Sequence, residues 1–397
     1  MKYNFDEVID RSKNNAAKFD ETKEKYGRDD LIPMWIADMD FRTAQPIIDE
    51  LNKKVSQGIY GYTSKPKEYY EAIQNWQKEK NNWAPDTELM SNALGVLPML
   101  ANIMHTFLEK GDKVIIQPPV FHAFREVIEA WEGQVVDNPL IKENGKYYID
   151  FEDLEIKAKQ GAKFMILCTP HNPVGRVWTK DEIEKVANIC IENNITIISD
   201  EIYADIMLWG NKHIPTASIS DKIAKHTITC TSSTKTFNLA GLQVATVIFP
   251  NESMKEKYDQ TLKKVETYRN NAFSIVANTV AFNEGKEWFE QVTSYIEENI
   301  NYAVEYIEKN IPKIKVNKPE STYLLWLDCK ELELNNEELM EFFAEEAKLA
   351  LSNGASFGEG GEGFVRMNIA CSREILIKAL KNLEQAILNH EKNCSLA

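Results

Sequence analysis

Short apolar runs alternate with amphipathic helical segments between about residues 93 and 249, and this alternation leaves few possible folds. Four of the runs have the length and the β-branched or bulky residues of buried strands: Lys113–Ile116, Ala162–Cys168, Ile195–Ser199 and Val244–Phe249. Between two of them, Thr179 and Glu182 have the spacing of a capping box that begins a helix. Strand, helix and strand at this spacing predict an α/β fold with a mainly parallel sheet and helices on both faces.

A second, smaller α/β portion is predicted after one long helical stretch over residues 284–310. It consists of a strand at 323–327, a helix at 336–349, a strand at 363–369 and a closing helix from Ser372. We therefore expect three parts: an N-terminal segment, 1–45, that packs on the small domain, a large domain, 46–285, and a small C-terminal domain, 286–397.

Composition excludes several classes of protein. The net charge of -15 offers no basic surface for nucleic acid or for an anionic membrane. The six cysteines form no CxxC pair and have no histidines at zinc-ligand spacing, which is typical of a reducing compartment, and no metal site is predicted. Because the chain also has no secretory signal pattern and no apolar run of about 20 residues, we expect a soluble, cytoplasmic protein.

One lysine stands directly after a strand pattern, in the stretch 232–238 that follows the β-branched run 226–231. An ammonium group is rare at the end of a buried strand, because it must lose water or find a partner. Desolvation favours the uncharged amine, which is the form that attacks an aldehyde. Lys235 is therefore a candidate nucleophile, while the stretch taken alone also fits a surface lysine in a Ser/Thr-rich turn.

Asp200 ends another predicted strand, 35 residues before Lys235. In an open α/β sheet both residues would lie beyond the carboxyl ends of strands, where ligands bind. Asp200 could be an ordinary helix N-cap, or it could pair with a protonated ring nitrogen. A lysine that bonds to an aldehyde and an acid that faces a pyridine nitrogen together indicate a site for pyridoxal 5'-phosphate (PLP).

Two further residues belong to the same predicted edge of the sheet. Asn172 stands between Pro170 and Pro173 after the strand 162–168, and its side chain offers a donor from a fixed turn. Arg366 lies on the predicted strand 363–369, after a glycine-rich approach. Its forked guanidinium suits a substrate carboxylate, although a strand arginine in a surface salt bridge is the ordinary alternative.

With these motifs the chain resembles the fold type I PLP enzymes nearly end to end, and within them the MalY/PatB type of cystathionine β-lyase. The resemblance depends on segments that occur in the same order as in that family: 33–41 (PMWIADMDF), 60–62 (YGY), 95–98 (GVLP), 171–178 (HNPVGRVW), 200–202 (DEI), 233–238 (STKTFN) and 364–368 (FVRMN). The first of them, with its Met-Trp-Ile-Ala-Asp-Met-Asp-Phe sequence, is specific to the family.

The resemblance implies a role for each site residue. Lys235 would bond to the cofactor and move the Cα proton, Asp200 would keep the pyridine nitrogen protonated, and Tyr203 would be the third catalytic residue. Arg366 would bind the substrate carboxylate, with Ala37 and Asn172 as further substrate contacts. The other implied cofactor contacts are Asn172 and Tyr203 at the ring hydroxyl, Phe121 on the ring face, Val96, Leu97 and Ser232 at the phosphate, and Tyr62 at the phosphate from a neighbouring subunit of a homodimer.

The implied activity is β-elimination from cystathionine or a related S-substituted cysteine, which yields a thiol, pyruvate and ammonia. The alternative is an aminotransferase, because that reaction uses the same residues. Phe121 stands where the lyases carry tyrosine, and Tyr203 stands where some of them carry histidine. Gln243 stands where many aminotransferases carry arginine, which favours the lyase. A non-catalytic protein on the same scaffold is disfavoured, since Lys235 and Asp200 are both present.

Overall fold

The computed structural model describes the backbone of residues 1–396 and the side chains of residues 1–392. The chain begins with short elements and then enters a long α/β region. In chain order, the elements up to the end of the large sheet are α1 (Ala17–Asp20), α2 (Thr22–Tyr26), β1 (Ile32–Pro33), α3 (Gln45–Ser56), α4 (Lys67–Asn81), β2 (Met90–Ala93), α5 (Val96–Phe107), β3 (Lys113–Ile116), α6 (Ala123–Ala130), β4 (Gln134–Asp137), β5 (Ile141–Glu143), β6 (Lys146–Tyr148), α7 (Phe151–Ala158), β7 (Ala162–Cys168), α8 (Lys180–Glu192), β8 (Thr196–Asp200), α9 (Asp221–Ala224), β9 (Thr227–Thr231) and β10 (Ala245–Ile248).

The remaining elements form the C-terminal part of the molecule. They are α10 (Glu252–Lys264), α11 (Ala272–Glu284), α12 (Lys286–Asn310), β11 (Lys315–Val316), β12 (Leu324–Asp328), α13 (Asn336–Glu341), β13 (Leu349–Ala350), β14 (Ser352–Asn353), β15 (Phe364–Asn368) and α14 (Arg373–Leu396). A π-helical turn, Phe342–Glu346, follows α13 directly. No helix among the residues described here is long and apolar enough to cross a membrane.

The large sheet has seven strands in the order β2-β10-β9-β8-β7-β3-β4. Only β10 runs against its neighbours, and the other strands are parallel. Alternate residues of β7 enter different cores: Phe164 and Ile166 pack with side chains from α5, α6 and α10, whereas Met165 and Leu167 pack with α7 and α8. Both faces are therefore covered, and the predicted α/β class with a mainly parallel sheet flanked by helices is confirmed.

A second, antiparallel sheet has the strand order β11-β12-β15-β14. The long helix α12 and the closing helix α14 contribute buried residues to the same core as β12 and β15. The N-terminal segment reaches this region, because β1 pairs in parallel with β13 through the register Ile32–Leu349 and Pro33–Ala350. The division into parts 1–45, 46–285 and 286–397 stays a prediction, and residue 397 lies outside the described residues.

The predicted helices and strands agree best with the structure where the hydrophobic periodicity of the sequence is strong. Thr179 and Glu182 form a complete capping box at the start of α8. The helix predicted for 336–349 is wrong at its end: α13 gives way to the π-helical turn, and Leu349 is a strand residue. The predicted long helix over 284–310 is confirmed as α12, which begins two residues later, at Lys286, because α11 ends at Glu284.

Candidate active site

Three neighbouring parallel strands, β7, β8 and β9, direct the candidate residues to one edge of the large sheet. The register aligns Cys168 with Asp200 and Asp200 with Cys230, so the chain leaves all three strands at the same level. Asn172 follows the first strand, Asp200 ends the second, and Lys235 follows the third. This is the edge at which open α/β sheets bind ligands.

Lys235 lies in a half-buried position against the N-terminal segment. Its Nζ donates a hydrogen bond to the backbone oxygen of Ala37 at 2.5 Å and lies 5.9 Å from the centre of the Tyr203 ring. Burial, and then the positive charge of Arg366, lower the pKa of Lys235 to about 8, although Asp38 and Asp200 act in the opposite direction. An appreciable fraction of the amine is therefore uncharged near neutral pH, as a nucleophile requires.

Asp200 is almost fully buried, and the structure gives its carboxylate one hydrogen bond, from the backbone N–H of Ile202 at 3.1 Å. Desolvation raises the pKa of Asp200 to about 7, and the neighbouring charge of Glu201 adds to this effect. A buried carboxylate with so few donors is costly unless a cation lies beside it. Asp200 is not the N-cap of a helix, because turns follow it. A protonated ring nitrogen fits the position of the missing partner.

Tyr203 is buried, and its hydroxyl has no hydrogen-bond partner in the described part of the chain. Burial raises the pKa of this phenol, so Tyr203 carries a proton that it can donate. Its ring packs edge-on against Tyr323 at a centroid distance of 5.9 Å. An orphaned buried hydroxyl beside Lys235 and Asp200 fits a bound group that offers an acceptor, such as the ring oxygen of PLP.

Arg366 is buried on β15 and has no carboxylate partner among the described residues. Its Nη1 donates to Asn172 Oδ1 at 3.0 Å, and its Nη2 donates to the backbone oxygen of Trp35 at 3.0 Å and to Ser352 Oγ at 3.2 Å. Its Nε has no partner. Burial lowers the pKa of Arg366, because a cation that has lost water is destabilised unless an anion lies beside it. The surface salt-bridge alternative is therefore excluded by the structure, and a carboxylate ligand fits the position.

The start of α5 forms a candidate phosphate cradle. Gly95 precedes the helix with φ 124, a backbone conformation that favours glycine, and the first-turn N–H groups of Val96 and Leu97 lie where helices bind anions. Ser232 is less free than the sequence implied: its hydroxyl donates to the backbone oxygen of Val244 at 2.6 Å and accepts from the Thr234 N–H at 3.0 Å. A contact from Ser232 to phosphate requires its bond to Val244 to break.

Two other predicted residues lie at the margin of the site. Phe121 is half-buried and packs edge-on against His122 and Phe124, at centroid distances of 5.0 and 5.6 Å. Tyr62 is 97% exposed, in the connection between α3 and α4. Its only ring contact in the described chain is with Arg269, 5.9 Å away. One chain alone thus leaves Tyr62 free to contact another subunit.

Sequence reasoning missed the network that supports Ala37. The Tyr323 hydroxyl donates to the backbone oxygen of Ala37 at 3.0 Å, so this oxygen accepts from both Tyr323 and Lys235. Asp38, next in the chain, forms an ion pair with Arg11 at 2.7 Å, and the fully buried Lys18 bonds to Asp40 at 2.8 Å. No local pattern marks these long-range contacts; only the charged pair in the segment 38–40 was visible in the sequence.

These features define a class of protein: a PLP-dependent enzyme with a lysine and an aspartate at the carboxyl edge of a parallel sheet. The chain belongs to the class I and II aminotransferase family, whose family model matches residues 31–383. The predicted resemblance to PLP-dependent carbon–sulfur lyases is confirmed by comparison with known proteins. Cystathionine beta-lyase PatB of Bacillus subtilis strain 168 is 37% identical over 385 residues, which cover 97% of this chain and 100% of PatB.

Solved structures agree on the fold and on the cofactor. A PLP-bound protein of Clostridium difficile 630, provisionally described as an aminotransferase, is 46% identical with a TM-score of 0.96, and the match covers 97% of this chain and 100% of the other. The PLP-bound C-S lyase of Staphylococcus hominis is 33% identical with a TM-score of 0.91, over 97% of this chain and 98% of the other. PLP is the cofactor of this family, as predicted.

Proposed function

We propose that the protein catalyses β-elimination from cystathionine or a related S-substituted cysteine. The observation that carries this proposal is the pairing of Lys235, whose pKa is lowered to about 8, with buried Asp200, whose pKa is raised to about 7, in a chain similar to PatB over its whole length. Burial moves these two pKa values towards neutrality from opposite sides, so that Lys235 is partly uncharged and can take up a proton, while Asp200 needs a cation beside it to hold its charge.

When bound, PLP supplies an aldehyde that bonds to amines and a ring that withdraws electrons from Cα. Asp200 pairs with the ring N–H⁺, which relieves the cost of its own burial. Tyr203 and Asn172 would hold the ring hydroxyl oxygen, and Phe121 would hold the ring face. The backbone N–H groups of Val96 and Leu97, with the Ser232 hydroxyl, hold the phosphate.

The substrate is held and deprotonated by residues of this chain. Arg366 binds the α-carboxylate through its unpaired edge, and its bond to Asn172 Oδ1 keeps the guanidinium in place. Lys235 Nζ removes the Cα proton, and the Cβ–S bond breaks as the thiolate leaves. Ala37 positions Lys235 through its backbone oxygen and lies against the substrate. Water converts the remaining three-carbon unit to pyruvate and ammonia.

The runner-up is an aminotransferase, favoured by the description of the Clostridium difficile relative. In that reaction the amino group of the substrate passes to a 2-oxo acid. Because Lys235, Asp200 and Arg366 serve both reactions equally well, the two are separated by their products and not by the site.

One assay decides between the reactions. The purified protein with PLP is given L-cystathionine and no 2-oxo acid, and pyruvate and free thiol are measured over many turnovers. Continuous formation of both products supports the lyase, whereas a stop after one equivalent that a 2-oxo acid relieves supports the aminotransferase. Lys235→Ala should abolish turnover and the visible absorption of the bound cofactor. Lys225→Ala, at an exposed lysine after α9, is the matched control and should change neither.

We also infer a homodimer in which each site receives Tyr62 from the neighbouring subunit. The segment 55–62 supports this inference because it exposes four large apolar or aromatic side chains: Val55 at 52%, Ile59 at 76%, Tyr60 at 56% and Tyr62 at 97%. We also propose that each subunit has three parts: an N-terminal segment, 1–45, a large domain, 46–285, and a small C-terminal domain, 286–397. The cytoplasmic location stays a prediction.

A further inference from the structure

Two oppositely charged side chains without a salt bridge lie near each other, in the region around Arg366. Lys25 on α2 and Glu126 on α6 form no salt bridge and no side-chain hydrogen bond in the described part of the chain. Both are exposed, so each can reach a ligand that enters from solvent. Neither takes part in the mechanism proposed above.

Lys25 is connected to the carboxylate-binding arginine through Trp35. Its Nζ lies 4.3 Å from the centre of the Trp35 ring, and the Trp35 backbone oxygen accepts the 3.0 Å hydrogen bond from Arg366 Nη2. Partial burial lowers the pKa of Lys25, and the charge of Arg366 adds to this effect, whereas Glu21 and Glu126 oppose it. The Lys25 ammonium therefore lies in the electrostatic field of the substrate site.

Glu126 lies close enough to Lys25 and to His122 to affect the pKa of both. The Phe357 ring contacts both Arg366, whose Cζ lies 4.9 Å from the ring centre, and His122, whose ring lies edge-on at 5.9 Å. Glu126 is one helical turn after His122, and its charge opposes the effect of burial on the pKa of His122. The buried Nδ1 of His122 has no hydrogen-bond partner, which leaves a polar atom available beside Glu126.

We infer that Lys25 and Glu126 select substrates whose leaving thiol ends in a second amino-acid head group. Arg366 holds the α-carboxylate of the cysteine half, the sulfur chain extends towards the solvent edge, and Lys25 binds the distal carboxylate while Glu126 binds the distal ammonium. A neutral S-alkyl group forms no ion pair with Lys25 or Glu126, so neither side chain contributes to its binding. The inference rests on the proposed function and narrows it to thioethers with a zwitterionic distal end.

The test compares two substrates in matched variants. L-Cystathionine has the distal head group, and S-methyl-L-cysteine has the same reacting half without it. Lys25→Met should lower kcat/KM for cystathionine about 10-fold, mainly through KM, and leave S-methylcysteine within about 2-fold. Lys23→Met removes an exposed lysine two residues away, whose only ion pair is a 3.9 Å contact with Asp29, and should change neither substrate. Lys25→Arg should restore most of the preference.

The acidic side is tested in the same way, with Glu126→Gln against Glu129→Gln, which lies on the same helix 3.7 Å from Arg125. Equal losses for both substrates, or no loss for cystathionine, would overturn the inference. Calorimetric binding of the two amino acids gives the same comparison without turnover. If the unmodified protein forms no pyruvate, the proposed function has failed, and the ratio of the two dissociation constants in Lys25→Met still judges the inference.

Discussion

At the scale of single residues, the site depends on charges that the fold leaves without complete partners. Asp200 is buried with one donor, Arg366 is buried without a carboxylate, and the Tyr203 hydroxyl has no hydrogen bond. Each of these is costly in the protein alone, since a buried polar group needs a partner. In the proposed function the cofactor and the substrate carboxylate are those partners, and their binding would relieve the cost of burying these groups.

Asp200 gives a stability prediction with a defined sign. Its folded pKa of about 7 exceeds the ordinary value of about 3.9, so the folded protein without cofactor binds the extra proton and loses stability as pH rises between these values. Asp200→Asn should therefore stabilise the cofactor-free protein by about 2 kcal/mol at pH 8 and by much less at pH 5. Thermal unfolding at both pH values measures the difference.

The control is Glu192→Gln, which removes an exposed carboxylate with no side-chain hydrogen bond or ion pair in the described chain. It should change stability by less than about 0.5 kcal/mol at either pH. Equal stabilisation by Asp200→Asn at pH 5 and pH 8 would contradict the electrostatic account and point to packing.

At the scale of elements, the site depends on how the N-terminal segment and the loop before β15 are held. Buried Lys18 bonds to Asp40, and its backbone oxygen accepts from Trp35 Nε1 at 2.9 Å, so charges and an aromatic ring hold the segment that carries Ala37. Arg366 lies on β15, and the loop that leads into this strand from β14 is held by close backbone packing at Gly354. There is no space for a side chain at that glycine.

Gly354→Ala should destabilise the protein by about 3 kcal/mol, a value typical of backbone strain in a packed turn. An added Cβ would lie 2.3 Å from the Phe364 backbone oxygen and 2.4 Å from that of Gly361, and neither oxygen belongs to a flexible side chain. Gly241→Ala is the control, because its Cβ would meet nothing within 4 Å. In thermal unfolding, Gly354→Ala should have a clearly lower midpoint temperature than Gly241→Ala. Equal midpoint temperatures would show that the loop adapts to the added methyl group.

The sequence predicted the elements whose periodicity is strong. It located β3 and β7 to the residue and found the capping box of α8, because these signals lie within a few neighbouring positions. It misplaced the end of α13, where Leu349 leaves the helical pattern to pair with Ile32. That pairing joins residues more than 300 positions apart, and no local propensity reports it.

At the scale of the whole molecule, the proposed homodimer would complete each site with Tyr62 of the neighbouring subunit. Tyr62 projects from the connection between α3 and α4 and makes no contact with Lys235 or Asp200 in its own chain. The exposed apolar segment around it is the type of surface that a stable dimer buries. A two-fold dimer would place each Tyr62 at the site of its partner.

Mixing inactive variants tests this arrangement. Dimers of Lys235→Ala lack the nucleophile, and dimers of Tyr62→Ala should bind PLP weakly and be nearly inactive at limiting cofactor. When subunits exchange at random, half of the dimers are hybrids with one intact site, so activity should return to roughly a quarter of the unmodified value. In a mixture of Lys235→Ala with Asp200→Asn, each variant subunit carries a defect in its own site. No hybrid dimer then has an intact site, and no activity should return. No recovery in the first mixture would contradict a shared site.

The amino-acid sequence by itself determined the class of fold, the order of the site residues and the chemistry of PLP. These follow from periodicity and from motifs at strand ends, and both are properties of neighbouring residues. The tertiary structure alone decided that Arg366 has no carboxylate partner among the described residues, that the Ala37 oxygen accepts from Lys235, and that Lys25 packs on Trp35, whose backbone oxygen binds Arg366. The reason is physical: burial, desolvation and partner choice depend on contacts between distant parts of the chain, which exist only after folding.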